Sequence, residues 1–275
     1  MYRWHFTSTD DRTLPPLLLL HGWMGSSEDY TELIDRLKSQ FYCIAIDLPG
    51  HGKTEVIDEN TGYDFINTAK GIVDLLDSLE IERCSIAGYS FGGRLALYLA
   101  LEFPDRFVGV ASLLGQTLRE RNENRVILES TSPGLPTASE RQARIDRDRQ
   151  IIDRLLTTSF DEFVRDWYRQ SIFVGIDSRP DFPDLIRRRI ATNQPSNLAK
   201  SLRYAGLGMQ PYLGDKLKLS TRSISLIVGA LDLKFVNIGR KLEQMCPSIT
   251  LNIIPNCSHN IHFEQPELWL KLIDN

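Results

Sequence analysis

The sequence predicts an α/β fold in which a mostly parallel sheet is flanked by helices. Three observations predict it. Short apolar runs alternate with amphipathic stretches towards both ends of the chain. A G-x-S-x-G pattern, Gly88-Tyr89-Ser90-Phe91-Gly92, falls between one apolar run and a helix-like segment. The stretch from about Gln116 to Ala205 breaks the alternation, with many helix formers and arginines and no convincing strand.

The elements follow in order. Pro16–Leu20, Tyr42–Ile46, Cys84–Ala87, Val108–Leu114, Ile224–Val228 and Thr250–Ile254 are short apolar runs and read as strands. Glu28–Ser39, Asp64–Leu79, Phe91–Phe103, Val236–Met245 and Pro266–Ile273 carry the longer patterns of helices. Strands alternating with helices of this length argue for βαβ units and a parallel sheet. Residues 116–205 hold 16 Lys+Arg against 13 Asp+Glu, which leaves 16 against 23 for the rest. The stretch is thus net +3 and the remainder net −7, consistent with the formal −4 of the whole chain. It reads as a helical cap inserted into a core formed by 1–115 and 206–275. Many of its arginines suit i,i+4 pairing on solvated helix faces, as in Arg144–Asp148.

Composition excludes several classes. A chain of 275 residues, 42% hydrophobic and 25% charged, is ordinary for a globular protein with a large core. The mild negative charge gives no sign of a nucleic-acid partner. Cys43, Cys84, Cys246 and Cys257 are scattered, without a C-x-x-C pair, and imply neither a disulfide framework nor a metal site. The N-terminus lacks the apolar segment of a signal peptide, and "LPPLLLL" is too short to span a membrane. A cytoplasmic protein that does not engage membranes is expected. The oligomeric state is left open.

The pattern at residues 88–92 has the context of a nucleophile elbow: the strand "CSIA" before it and the helix "FGGRLALYLALEF" after it. Glycines suit a tight turn there. Serine needs a histidine as base, and the histidine needs a carboxylate to orient it. On the α/β-hydrolase fold the chain order is Ser, then acid, then His. Of five histidines only His259 and His262 follow Ser90. His259 lies just past the strand "ITLNIIP", whereas His262 reads as a surface or helix-start residue. Asp232 lies just beyond the strand in "SISLIVGALD", at the sheet edge where α/β proteins bind ligands. Two backbone N–H groups are expected to form an oxyanion hole: Phe91, after the serine, and Trp23, in the loop after "PLLLL". His21 reads as a brace for that loop. "DLPGHGKT" is no phosphate loop, because Asp47 stands where the first glycine belongs.

Arg94 lies four residues after Ser90, on the same face of a helix that is apolar nearly all round. A buried guanidinium without a partner is costly. Either a protein carboxylate pairs with it, or the site receives an anion, and the planar fork suits a carboxylate.

Together these segments resemble a family, the 2-succinyl-6-hydroxy-2,4-cyclohexadiene-1-carboxylate synthases, which are α/β-hydrolase-fold lyases of menaquinone and phylloquinone synthesis. The resemblance is carried by "GYSFGGR", "LLLLHGWMGSSEDY", "IDLPGHG", "SPGL", "ERQARIDRDRQ", "DWYRQSIF", "GMQPYL", "GALDLKF" and "NCSHNIHFEQP". It implies a substrate with several carboxylates, from which pyruvate is eliminated without a metal or organic cofactor. It also implies that Ser90, Asp232 and His259 are the triad, that Tyr89 and Arg94 flank the serine, and that Arg94 and Arg144 bind substrate. Trp167 of "DWY" matches a pocket aromatic. A third arginine falls in "LIRRRIATNQP", with a spacing one residue off the family's pattern, so Arg189, its neighbour Arg188 or neither fills the position. Two other readings are open: a serine hydrolase of carboxylated esters or carbon–carbon bonds, and a non-catalytic binding protein on the same fold.

Overall fold

A computed structural model describes residues 1–107 and 126–274. The expected strand Val108–Leu114 lies outside the described residues. The strands are β1 (Tyr2–Arg3), β2 (Phe6–Ser8), β3 (Pro16–Leu20), β4 (Tyr42–Ile46), β5 (Glu55–Val56), β6 (Ser85–Tyr89), β7 (Val126–Glu129), β8 (Ile224–Gly229) and β9 (Ile249–Ile254). Seven of them form one sheet in the order β2-β4-β3-β6-β7-β8-β9, and β1 pairs with β5 separately. Only the β2–β4 pair of this sheet is antiparallel.

Alternation along each strand explains why the runs are apolar on both faces. Leu18, Leu20, Ile44, Ile86 and Leu226 meet helices Phe65–Ser78, Ser90–Glu102 and Leu233–Met245 on one face. Leu17, Leu19, Cys43, Ala87 and Ile227 meet Thr31–Leu37 and Pro266–Asp274 on the other. The expected helix Glu28–Ser39 divides into a 3-10 turn, Ser27–Tyr30, and the helix Thr31–Leu37. All four cysteines are free and buried.

One expectation needs correction. Val126–Glu129 is a fully buried strand pairing with both β6 and β8, inside the stretch read as free of strands. A run of three apolar residues after the polar "RNENR" is too short to announce itself, yet its register completes the sheet. The expected cap boundary at Gln116 therefore takes in a core strand. The helices begin at Ala138–Thr157, followed by Phe160–Trp167, Phe182–Thr192 and Pro195–Ala205. They enclose an apolar cluster of their own, including Ile152, Leu155, Phe163, Leu185 and Leu198, into which Met24 inserts from the core. Among the described residues, no helix is long and apolar enough to cross a membrane.

Candidate active site

The register of the parallel strands brings the predicted residues to one edge. Leu20 lies beside Gly88, Tyr89 beside Glu129, and Gly229 beside Ile254. The chain segments leaving β3, β6, β8 and β9 therefore emerge together. They carry Trp23, Ser90, Asp232 and His259.

Ser90 begins the helix Ser90–Glu102 with φ at 49°, a left-handed conformation that a non-glycine residue adopts only under constraint. The turn is closed by crowding. A Cβ on Gly92 would lie 2.3 Å from the Leu20 carbonyl oxygen, and one on Gly88 would lie 2.5 Å from the Gly92 carbonyl oxygen. The serine is thus held up at a helix N-terminus.

Asp232 caps the helix Leu233–Met245, its Oδ1 accepting the Phe235 N–H at 3.2 Å. Its Oδ2 accepts from His259 Nδ1 at 2.6 Å, and His259 Nε2 lies 3.0 Å from Ser90 Oγ. Both the acid and the histidine are buried, at 1% and 2% exposure, so the relay is shielded from water. The histidine loop is fastened on every side. Ser130 Oγ donates to the His259 carbonyl at 2.8 Å, and the His259 N–H donates to Ile172 of the cap at 3.0 Å. The buried Glu264 carboxylate accepts from Ser258 N–H, Ser258 Oγ and Asn260 N–H at 2.9, 2.6 and 3.1 Å. Ser130 lies outside every segment singled out from the sequence, and Glu264, although inside "NCSHNIHFEQP", is given no role there.

Trp23 and Phe91 both line the cleft. Phe91 is the second residue of its helix, so its N–H has no acceptor within the helix. His21 braces the Trp23 loop, as expected. Its Nε2 accepts the Leu48 N–H at 2.9 Å and its Nδ1 donates to the Gly22 carbonyl at 2.7 Å. Burial lowers its pKa, which suits a neutral ring with one donor and one acceptor nitrogen. In "DLPGHGKT", the Asp47 carboxylate accepts N–H bonds from Ser27 and Lys53 at 2.7 and 2.8 Å, so this loop is a structural turn.

A cleft of about 780 Å³ opens above Ser90. Arg94 lies in its wall at 8% exposure, with its Nη1 donating to Gln210 Oε1 and its guanidinium carbon 5.0 Å from the Phe91 ring centre. Burial first, then the charge of Arg144, pulls its pKa down to about 9, which leaves it cationic at neutral pH. Arg144 also lines the cleft while its Nε donates to Asp148 at 2.7 Å. Trp167 is present too, its ring 4.6 Å from that of Trp23. Arg147 and Lys234 complete the cationic lining, and the sequence reading did not single them out. Among the described residues, no aspartate or glutamate lines the cleft.

Three expectations shift. Arg189 does not line the cleft; it is 2% exposed and pairs with Asp29, with its Nε donating to the Tyr168 hydroxyl at 2.9 Å. It fastens the helix Phe182–Thr192 to the turn Ser27–Tyr30, and Arg188 does not line the cleft either. Tyr89, expected to bind substrate beside the serine, does not line the cleft; it is buried, its ring 5.4 Å from His259 and 5.0 Å from His262. His262 does start a short helix, but it is buried, not on the surface. Its Nδ1 donates to the Glu129 carboxylate at 2.9 Å, and Trp269 Nε1 donates to the same group at 3.0 Å.

This geometry defines a class: a parallel α/β sheet that presents an elbow serine and an acid–histidine relay at its carboxyl edge. The alpha/beta hydrolase fold family matches residues 15–266, and the chain belongs to it. Solved structures agree. The enol-lactonase from Burkholderia xenovorans LB400, 17% identical, superposes with a TM-score of 0.76 and shares the fold. Closer relatives narrow the family. The 2-succinyl-6-hydroxy-2,4-cyclohexadiene-1-carboxylate synthase of Pectobacterium atrosepticum is 31% identical over 259 residues, 94% of this chain and 92% of its own. That of Escherichia coli (strain K12) is 30% identical over 253 residues, covering 92% and 90%. The structure of MenH from S. aureus, 28% identical, matches with a TM-score of 0.85 over 98% of this chain and 96% of that one. The chain belongs to the family of 2-succinyl-6-hydroxy-2,4-cyclohexadiene-1-carboxylate synthases and is a carbon–oxygen lyase.

Proposed function

We propose that this lyase eliminates pyruvate from 2-succinyl-5-enolpyruvyl-6-hydroxy-3-cyclohexene-1-carboxylate, leaving 2-succinyl-6-hydroxy-2,4-cyclohexadiene-1-carboxylate, in menaquinone or phylloquinone synthesis. One observation carries the reading: the base relay ends at Ser90 in a cleft whose charged lining, among the described residues, is cationic, with Arg94 one turn beyond the serine. An ester hydrolase for neutral acyl chains has no use for such a wall, whereas a substrate with several carboxylates is held by it.

The chemistry follows from the relay. His259, oriented by Asp232, withdraws the Ser90 proton, and the serine oxygen removes a proton from the ring carbon next to the succinyl ketone. The electron pair moves onto the ketone oxygen, where the N–H groups of Trp23 and Phe91 meet the growing charge. When this enolate collapses, the ring–oxygen bond breaks and pyruvate leaves as its own enolate, which takes up a proton at carbon to become the ketone. The proton gained by the relay returns to solvent, and atoms and charge balance without any oxidant. Arg94 and Arg144 hold carboxylates of the substrate, and Trp167 covers it. The core and the cap meet at the site, which both halves complete.

The experiment is pyruvate release from the enolpyruvyl substrate, followed by a coupled lactate dehydrogenase assay. Wild-type turnover that falls roughly 10³-fold or more in Ser90→Ala supports the reading. Absence of pyruvate release by the folded wild type removes it.

A further inference from the structure

Many of the described arginines of the cap are neutralised by the protein itself. Arg149, Arg154, Arg165, Arg169, Arg179 and Arg187 each pair with an aspartate. Arg147 and Lys234 differ. Among the described residues, neither has a carboxylate within ion-pair distance, and both line the cleft. Arg147 lies three residues after Arg144 on the helix Ala138–Thr157, so the two share a face. Lys234 comes from the core, in the first turn of the helix Leu233–Met245, two residues past Asp232, and also lines the cleft.

That placement is unfavourable for a cation. The N-terminus of a helix carries positive partial charge. Lys234 and Arg147 are both exposed at the cleft, and partial desolvation there, then the nearby charges of Arg144 and Arg147, lowers the pKa of Lys234. The nearest acids are engaged elsewhere: Asp148 with Arg144, and Asp232 with His259. Two exposed cations that line one cleft, neither paired with a carboxylate among the described residues, are open to an anionic group of a ligand.

We propose that Arg147 and Lys234 form a second carboxylate site at the rim of the cleft, separate from Arg94 beside Ser90. The enzyme then selects substrates with two carboxylates spaced to reach both ends. The inference rests on the proposed lyase reading for its substrate, but its test does not depend on turnover.

Trp23 and Trp167 line the cleft, so their fluorescence reports occupancy. Wild type and the Arg147→Gln, Lys234→Gln and double variants are titrated with 2-oxoglutarate, a dicarboxylate, and with pyruvate, a monocarboxylate. The wild type is expected to bind 2-oxoglutarate at least about tenfold more tightly than pyruvate. The double variant is expected to lose that advantage while its pyruvate binding stays unchanged. In the pyruvate-release assay, the double variant is expected to lose roughly tenfold or more in kcat/KM through KM, with kcat nearly constant. Equal binding of the two acids by wild type overturns the site, and so does an equal loss of both in the double variant or an unchanged preference there. A wild type that discriminates between the acids but releases no pyruvate overturns the lyase reading and leaves the carboxylate site standing.

Discussion

Replacing Arg94 with Met should stabilise the protein while disabling it. The structure supplies the magnitude. A guanidinium held near 9 instead of in its ordinary range above 12 is disfavoured in the fold by roughly 4–5 kcal/mol at neutral pH. Methionine fills similar space without the charge. It also leaves Gln210 without its donor, at a cost of about 1–3 kcal/mol. The difference is a net gain of about 2 kcal/mol, or roughly 4–8 °C in Tm for a chain of this size. The sign has a pH signature. The folded pKa lies below the unfolded one, so the wild-type penalty is full below about pH 9 and shrinks as pH rises through it. The stability gap between Arg94→Met and wild type should therefore narrow by roughly 1 kcal/mol between pH 9 and 10. Activity should move the other way, with kcat/KM falling by about 2–5 kcal/mol in transition-state terms. Arg94→Lys should also lose activity, because a point charge does not replace the fork. Thermal melts from pH 7 to 10, alongside the pyruvate assay, check both arms. A variant that melts lower and retains full kcat/KM would show that Arg94 is a structural clamp.

Other outcomes follow from the same contacts. His259→Ala should match Ser90→Ala in lost kcat, roughly 10³-fold, whereas His262→Ala should chiefly lower Tm because it strips the buried Glu129 of a donor; equal kcat losses from both would contradict the assignment. Arg189→Met alone should cost about 3–5 kcal/mol by leaving Asp29 buried and unpaired, while Arg189→Met combined with Asp29→Leu should recover most of it in denaturant melts. His51 is buried, and desolvation pushes its pKa down to about 3. Stability should therefore fall as pH drops from about 6.5 towards 4.5, by roughly 2–3 kcal/mol from this group, and His51→Gln should remove that slope.

The sheet was legible because its strands are buried on both faces and read as unbroken apolar runs. Pro16–Leu20 and Tyr42–Ile46 fall where expected to the residue. Val126–Glu129 was not, because its identity as a strand comes from the neighbours β6 and β8 more than from its own composition. The residues of the relay were legible because chain order and strand ends constrain them. Arginines were harder. Sequence cannot say which way a helix turns, so Arg189 looked like a ligand contact although its partner, Asp29, lies 160 residues away. The same blindness hid Glu129 behind His262 and left Lys234 unremarked beside Asp232.

The central claim is that Ser90 acts as a base on a polycarboxylate, and the mass of the protein during turnover tests it most directly. The enzyme is mixed with the enolpyruvyl substrate, or with a neutral nitrophenyl ester, and sampled by intact mass spectrometry while pyruvate and nitrophenol are followed. Rapid pyruvate release with the protein mass unchanged is expected, with at most slow nitrophenol release, because a neutral ester leaves Arg94 without an anion. A fast nitrophenol burst with Ser90 acylated, and no pyruvate from the enolpyruvyl substrate, would contradict it and make the protein a serine hydrolase.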